Sequence, residues 1–144
     1  MLHHPPAGTS IPAGRRFIFY WLPLAALCFA IFYQSSFPCF QTGELFIHFD
    51  KILHFTAYAL MAFLAARALK QERQGMSDTH IKLAAVCFSI LFGVSDEIHQ
   101  AFVPGRFASV WDLAADAAGS IAGAQIFFGL LHRFHPASSR KIPC

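Results

Sequence analysis

Four long apolar stretches dominate the chain, and short polar segments separate them. The stretches run from Phe17 to Phe37, from Phe49 to Leu69, from Ile81 to Phe102 and from Ser109 to Leu131. A helix needs about 20 mostly apolar residues to cross about 30 Å of hydrocarbon. The pattern therefore predicts an all-α fold, a four-helix transmembrane bundle whose short connections make consecutive helices antiparallel.

The two ends of the chain lack this pattern. Residues 1–15 and 135–144 are more polar and carry prolines such as Pro5, Pro6 and Pro136, a composition typical of disorder. We expect a disordered cytoplasmic N-terminus over 1–15, one membrane domain over 16–134 and a cytoplasmic tail over 135–144. We interpret the first apolar stretch as an uncleaved span, because no small-residue cleavage site follows it.

Composition agrees with a membrane protein and argues against a nucleic-acid-binding protein and against a small domain held by disulfides or zinc. Of the 144 residues, 56% are hydrophobic and only 13% are charged. The net charge of +3 is spread along the chain, so we expect no nucleic-acid partner. The four cysteines lie at positions 28, 39, 87 and 144. This spacing predicts neither a disulfide nor a zinc knuckle.

The basic residues predict the orientation of the bundle. Nine are expected on one side: Arg15, Arg16, Arg67, Lys70, Arg73, Lys82, Arg133, Arg140 and Lys141. Only Lys51 and Arg106 are expected on the other side. Because Lys and Arg accumulate in cytoplasmic loops, both termini are predicted to be cytoplasmic, with the loops over 38–48 and 103–108 outside.

Eight ionisable side chains interrupt the apolar stretches. They are Asp50, Lys51, His54, Asp96, Glu97, His99, Asp112 and Asp116. A charged residue near the centre of a spanning helix costs about 2.5–3.5 kcal/mol on insertion scales, so each is a candidate functional residue. These residues form three groups, one in each of the second, third and fourth apolar stretches. Counting about 1.5 Å per residue from the basic residues at the inner ends places all three groups at one depth in the outer leaflet. We therefore predict a single polar cluster.

Helical spacing supports this cluster. Asp50, His54 and Tyr58 share one face of the second helix, and Gln100 shares a face with the acids of the third. In the fourth helix, Ala115, Gly119 and Gly123 have the small-xxx-small spacing that lets two helix backbones approach closely. We expect this contact to hold Asp116 against another helix.

The acids of the cluster outnumber the bases. The five carboxylates at 50, 96, 97, 112 and 116 face Lys51 and Arg106, and protonating both His54 and His99 would still leave one acid in excess. Such a cluster needs bound protons, a metal ion or a cationic ligand group. A hard divalent cation or zinc is compatible with these side chains. Because no dense metal-binding motif is present, we assign no cofactor and do not favour a metal.

Two alternatives concern single residues. Asp50, Lys51, Asp96 and Asp112 could each lie at the membrane interface or cap a helix end. The turn Val103-Pro104-Gly105-Arg106 is either a plain connection or a device that folds Arg106 over the acids. In that second position, the guanidinium would suit a phosphate or a carboxylate.

Three motifs together resemble a known family. They are Asp50-Lys51-x-x-His54-Phe55-x-x-Tyr58, Ser95-Asp96-Glu97-x-His99-Gln100-x-Phe102-Val103-Pro104-Gly105-Arg106 and Asp112-Leu113-x-x-Asp116-x-x-Gly119. Over about residues 45–123 the chain resembles the VanZ-like family of small bacterial membrane proteins. The resemblance implies a multi-pass protein of the bacterial inner membrane with a role at the envelope, since the founding member is associated with low-level teicoplanin resistance. That family often has Asn where this chain has Asp116, so we weight Asp112 above it.

Three functional hypotheses follow. In the first, the cluster binds or modifies an envelope precursor such as a lipid-linked phosphate, and Glu97, Asp96 and His54 are the candidate catalytic residues. The candidate ligand-binding residues are Asp50, Lys51, Tyr58, His99, Gln100, Arg106, Asp112 and Asp116. In the second, the protein is a non-enzymatic scaffold for another envelope membrane protein. In the third, it is an ion-coupled transporter. Membrane lipids are expected partners in each case.

Overall fold

The computed structural model describes residues 12–38 and 45–134, and within these ranges the only regular secondary structure is helical. The predicted N-terminal and C-terminal segments lie largely outside the described residues. The helices are α1, formed by Ala13–Arg16, a π-helical turn Phe17–Trp21 and Leu22–Ser35; α2, Leu45–Glu72; α3, Asp78–Ala101; and α4, Val110–Phe134. This confirms the all-α prediction.

The helices alternate in direction. α2 and α4 run parallel, as shown by the contacts of Phe63 with Phe127 and of His54 with Asp116. α3 runs antiparallel to both, since Lys82 near its start bonds to Gln125 near the end of α4. We call the end where α1 stops and α4 begins the site end, and the other the opposite end.

The closest contact in the bundle joins α2 and α4 at two glycines. A Cβ atom at Gly119 would overlap the backbone carbonyl of Phe55, and one at Gly123 would overlap that of Ala59. Backbones can approach this closely only where a side chain is missing. The predicted small-xxx-small contact is therefore confirmed.

α1 packs more loosely than the other three helices. Leu24 and Ser35 are its buried residues, whereas Phe17, Phe29 and Tyr33 are exposed. Pro23 has no N–H to donate within the helix, and the guanidinium of Arg67 in α2 donates to the carbonyl oxygen of Phe19, four residues before it, at 2.9 Å. A neighbouring helix thus supplies the hydrogen bond that proline cannot.

The opposite end is held by an ionic contact among three helices. Asp78 at the start of α3 accepts from Lys70 of α2 and lies 2.8 Å from the imidazole of His132 in α4. The hydrogen bond from Lys70, and to a smaller extent the contact with His132, hold the pKa of the Asp78 carboxyl below its usual value. Ser77 caps α3 by accepting from the His80 N–H. The ends of α2 and α4 and the start of α3 are therefore tied together.

Three helical segments are long and apolar enough to cross a membrane: Gly14–Ser35, Phe49–Glu72 and Val110–Phe134. They correspond to the first, second and fourth predicted spans. α3 has 24 residues but carries Lys82, Asp96 and Glu97, and it is not among the three.

The glycine contact generates a prediction. We expect Gly123→Ala to lower the free energy of unfolding by about 1–3 kcal/mol, because the new methyl group must push two backbones apart. Gly129→Ala is the matched control on the same helix, since a Cβ there meets open space. It should be neutral or slightly stabilising. Denaturant unfolding in mixed micelles measures both, and equal stability of the two variants would contradict the contact.

Candidate functional site

Seven of the eight predicted ionisable residues come together at the site end. Their side chains project from α2, α3 and α4, and we call this group the acidic cluster: Asp50, Lys51, His54, Asp96, Glu97, Asp112 and Asp116. Glu97 and Asp116 are buried, although both carry ionisable groups. The predicted convergence of three helices on one polar cluster is what the structure shows.

Lys51 and Asp112 form the outermost pair of the cluster. The Lys51 ammonium donates to Asp112 Oδ1 at 2.8 Å, and the lysine side chain is 33% exposed while the aspartate side chain is 8% exposed. Asp112 lies in the first turn of α4, where the helix dipole also favours a negative charge. Thus Lys51 and Asp112 neutralise each other.

His54 and Asp116 form the inner pair. His54 Nδ1 lies 2.9 Å from Asp116 Oδ1, and Asp116 is fully buried. His54 Nε2 faces Asp50 at 3.9 Å, one turn earlier on α2. The ring of Tyr58 lies parallel to the imidazole with 6.3 Å between centroids. The structure therefore places Asp116, which the family pattern gave less weight, deeper in the cluster than Asp112.

The two acids of α3 have different partners. Glu97 Oε2 accepts from the backbone N–H of Ser109, just before α4, at 2.7 Å. Asp96 Oδ2 accepts from the Gln100 amide at 2.9 Å, and that amide also reaches Ser35 of α1 at 3.4 Å. Glu97 therefore fixes the start of α4, whereas Asp96 faces α1.

Four buried polar atoms in or beside the acidic cluster have no hydrogen-bond partner within the described part of the chain. They are Tyr58 Oη, Asp96 Oδ1, Glu97 Oε1 and Asp116 Oδ2. Buried polar groups are nearly always hydrogen-bonded, because leaving one unsatisfied costs about 1–3 kcal/mol. Such atoms concentrated in one place call for a partner such as a water molecule, an ion or a ligand group.

Serine hydroxyls below the cluster were not predicted from the sequence. The Ser120 hydroxyl oxygen lies 2.7 Å from the Asp116 carbonyl and 2.8 Å from the Ser89 hydroxyl, which donates to the Tyr58 carbonyl. Ser89 shares a helix face with Gly93, Asp96 and Gln100, all buried. That spacing was the available signal, because small and polar residues repeating at helical period mark a buried face.

A cavity of about 280 Å³ opens between α1 and the acidic cluster. Its polar lining comes from Gln34, Ser35, Asp50, His54, Tyr58, Asp96, Gln100 and Arg106. Ala30 and Ile31 of α1 and Leu53 and Ala57 of α2 form its apolar lining. The cavity thus has an amphiphilic wall, and four of its lining residues were predicted as ligand-binding: Asp50, Tyr58, Gln100 and Arg106.

Arg106 folds back over the cavity, as the turn sequence allowed. Gly105 has a φ of 80°, which only glycine adopts easily. The Arg106 guanidinium donates to the carbonyl oxygens of Phe37 at 3.0 Å and Gln34 at 3.3 Å. It therefore caps the end of α1. Carbonyl groups carry no net charge, so the positive charge of Arg106 remains at the cavity wall.

His99 is the residue that does not join the cluster. Its Nε2 lies 3.1 Å from the Ser36 hydroxyl, and its ring stacks on Phe32 with 4.4 Å between centroids. Both partners belong to the α1 side of the bundle. In this arrangement His99 fastens α3 to α1 rather than facing the acids.

Two sets of side chains have the composition of a metal-binding site. One is Asp50, His54 and Asp112, and the other is His54, Glu97 and Asp116; in each set the ligand atoms lie within 4.8 Å of one another. His54 belongs to both sets. The sequence shows these residue types but no motif that fixes their grouping, since they come from three separate helices.

The Lys51–Asp112 pair generates a prediction. Lys51→Met should destabilise the protein by roughly 1–3 kcal/mol, between the values of exposed and buried ion pairs, because Asp112 keeps its charge and loses its partner. The double variant Lys51→Met/Asp112→Asn should recover most of the loss. Unfolding of the single and double variants in micelles tests this coupling, and additive losses would show that the pair does not interact.

Comparison with known proteins agrees with the motifs. Residues 13–132 match the family model described as VanZ/LLP1. Searches of curated proteins and of solved structures found no match. The matched range contains the acidic cluster, the cavity and almost all of the helical bundle. Since it covers most of the 144 residues, the chain belongs to the VanZ/LLP1 family.

Proposed function

We propose that this protein crosses the bacterial inner membrane four times, with both termini in the cytoplasm and the site end in the outer leaflet. Three apolar helices and the exposed apolar side chains on their surfaces support insertion. α3 would be the fourth span, with its acids turned towards the bundle. Arg15, Lys70, Arg73 and Arg133 lie towards the opposite end, where the positive-inside rule favours the cytoplasm.

This topology is tested by reporter fusions after Cys144. A fused green fluorescent protein should fluoresce, and a fused alkaline phosphatase should be inactive, because the C-terminus would lie inside. The same phosphatase inserted in the loop over 103–108 should be active. An active phosphatase at the C-terminus would overturn the topology.

The proposed function is to bind the polar part of an amphiphilic envelope precursor in the cavity. The observation that carries this proposal is the cavity wall, which is apolar along α1 and α2 and polar beside Asp50, Asp96 and Arg106. Small-molecule sites usually have volumes of about 300–1,000 Å³, so about 280 Å³ would hold one charged portion of a head group rather than a whole head group or a whole lipid. The chain of such a ligand would extend along the apolar side.

The charges of the cavity favour a ligand that carries both signs. Asp50 and Asp96 line it, and Lys51, the nearest lysine, is already bound to Asp112. An ammonium group would therefore find two carboxylates that no described lysine neutralises. Arg106 at the cavity wall keeps a full positive charge and can meet a phosphate. Prenyl-diphosphate-linked cell-wall precursors with an amine-bearing peptide combine these groups.

Proton transfer to the ligand would fall to three residues. His54 lines the cavity and is oriented by Asp116, an arrangement suited to a general base. Asp96 lines the same cavity, whereas Glu97 lies behind it and would exchange protons with the ligand only through its neighbours. Binding is the proposal here, and these residues are the candidates for any chemical step.

The binding proposal is tested with a water-soluble, farnesyl-linked analogue of the prenyl-diphosphate disaccharide peptide. We expect saturable binding to the wild type in nanodiscs. Asp96→Asn and Arg106→Gln should each weaken the affinity by about tenfold, the loss of one charge-assisted contact. Lys82→Gln is the matched control, because Lys82 bonds to Gln125 far from the cavity. Equal binding by all three variants would contradict the proposal.

A scaffold function is the second candidate, because several polar contacts of the site hold helices together. Arg106 caps α1 and Glu97 fixes the start of α4. The same variants separate the two functions through the amount of folded protein that accumulates. If Asp96→Asn and Arg106→Gln prevent accumulation instead of weakening binding, the network is structural.

The transporter hypothesis has less support. Beyond the hydroxyls of Ser89 and Ser120, the described core towards the opposite end is apolar, with Met61, Ala65, Ile81 and Ala85 fully or almost fully buried. An ion path needs polar side chains or water along its length. Such a path does not continue through this part of the core.

A further inference from the structure

We propose that His54, Glu97 and Asp116 bind a divalent transition-metal ion such as Zn²⁺ between α2, α3 and α4. This site goes beyond the cavity that the proposed function uses, since Glu97 and Asp116 do not line that cavity. Each of the three helices contributes one ligand. The ion would therefore join the helices at the depth where the carboxylates are concentrated.

The first observation is the geometry of the three side chains. One ligand atom from each lies within 4.8 Å of the other two. His54 Nδ1 and Asp116 Oδ1 are 2.9 Å apart. Zinc–nitrogen and zinc–oxygen bonds are about 2.0–2.2 Å long, so small side-chain rotations bring three such atoms around one ion.

The second observation is independent of the first and concerns unused acceptors. Glu97 Oε1 and Asp116 Oδ2 are buried and accept no hydrogen bond from any described residue. Glu97 is 7% exposed and Asp116 is fully buried. Buried carboxylates need a cation or hydrogen-bond donors, and the nearest lysine, Lys51, bonds to Asp112. A bound cation would compensate the charge of both carboxylates.

The donor set indicates the class of metal. One imidazole nitrogen with two carboxylate oxygens suits Zn²⁺ and its neighbours, whereas Ca²⁺ and Mg²⁺ prefer oxygen ligands only. If Nδ1 of His54 binds the ion, Nε2 carries the proton and faces Asp50 at 3.9 Å. That separation is longer than a hydrogen bond, but a side-chain rotation of Asp50 would let it accept from Nε2, as carboxylates commonly do from metal-bound histidines. Asp50 also lines the cavity, so the metal site and the ligand cavity would meet at His54.

The second metal-like set, Asp50, His54 and Asp112, fits less well. Asp112 is already neutralised by Lys51, and the Asp50 side chain is 39% exposed. Its oxygens therefore have less need of a metal ion. In the set of His54, Glu97 and Asp116, two carboxylate oxygens lack a hydrogen-bond partner among the described residues, and both acids are buried.

Gly93 gives the inner set its space. A Cβ atom there would lie 2.9 Å from Asp116 Oδ2 and 3.2 Å from the Tyr58 ring. Any side chain at this position must push the carboxylate aside. Because the nearest atoms belong to the side chains of Asp116 and Tyr58 rather than to the backbone, Gly93→Ala should disturb the metal site more than the fold.

The experiment measures Zn²⁺ retained by the full chain. Purified protein in detergent is stripped with a chelator, loaded with Zn²⁺, dialysed and analysed for metal content. We expect the wild type to retain one ion more per chain than His54→Gln and Asp116→Asn, and Gly93→Ala to bind at least tenfold more weakly. His99→Gln is the matched control, because that histidine contacts Ser36 and Phe32 instead of the acids. It should retain as much Zn²⁺ as the wild type.

A second measurement does not depend on the folding of the variants. Zn²⁺ should raise the unfolding temperature of the wild type, since a ligand that binds the native state stabilises it, while Mg²⁺ and Ca²⁺ at equal concentration should not. Equal Zn²⁺ content in the wild type, His54→Gln and Asp116→Asn would overturn the proposal, as would equal stabilisation by Mg²⁺. If no variant-sensitive Zn²⁺ binding is found but the farnesyl-linked analogue still binds, only the metal proposal fails. If Zn²⁺ binds as expected but the analogue does not, only the proposed function fails.

Discussion

The close approach of α2 and α4 is the contact on which the rest of the structure depends. Gly119 and Gly123 let the two backbones meet at the carbonyls of Phe55 and Ala59. This approach fixes the register of two parallel helices, because the carbonyls leave no room for sliding. One turn before Gly119 stands Asp116, which consequently meets His54, and one further turn brings Asp112 to Lys51. The site is therefore a direct extension of the glycine contact.

The same constraint gives the acidic cluster its chemical character. Each helix has an apolar outer surface, so its polar groups can be satisfied only by facing its neighbours. Lys51 and Arg106 each have a protein partner. In contrast, one oxygen each of Asp96, Glu97 and Asp116 has no hydrogen-bond partner in the described part of the chain. In a low-dielectric interior, the attraction between these carboxylates and any cation that enters the cluster is stronger than it would be in water. The proposed amine-bearing ligand and the proposed metal ion both respond to this imbalance.

α1 forms a separate layer whose looser packing creates the cavity. It is fastened to the bundle at a few polar points, where Arg67 reaches Phe19, His99 reaches Ser36, and Arg106 caps the last turn. Between these points Ala30 and Ile31 leave space against His54 and Tyr58. The cavity therefore lies beside the second half of α1, between its polar fastening points.

The helical fold, the glycine contact and the polar residues of the cluster could be predicted from the sequence, because apolar length, small-residue spacing and the cost of buried charge are local properties of the chain. Counting along the helices also predicted that the ionisable groups of α2, α3 and α4 lie at one depth. Which of these groups pair could not be predicted in this way and follows from the tertiary packing. It bonded Lys51 to Asp112, directed Arg106 to α1 carbonyls and turned His99 away from the acids. These outcomes depend on the rotation of each helix about its axis, which packing between distant residues sets.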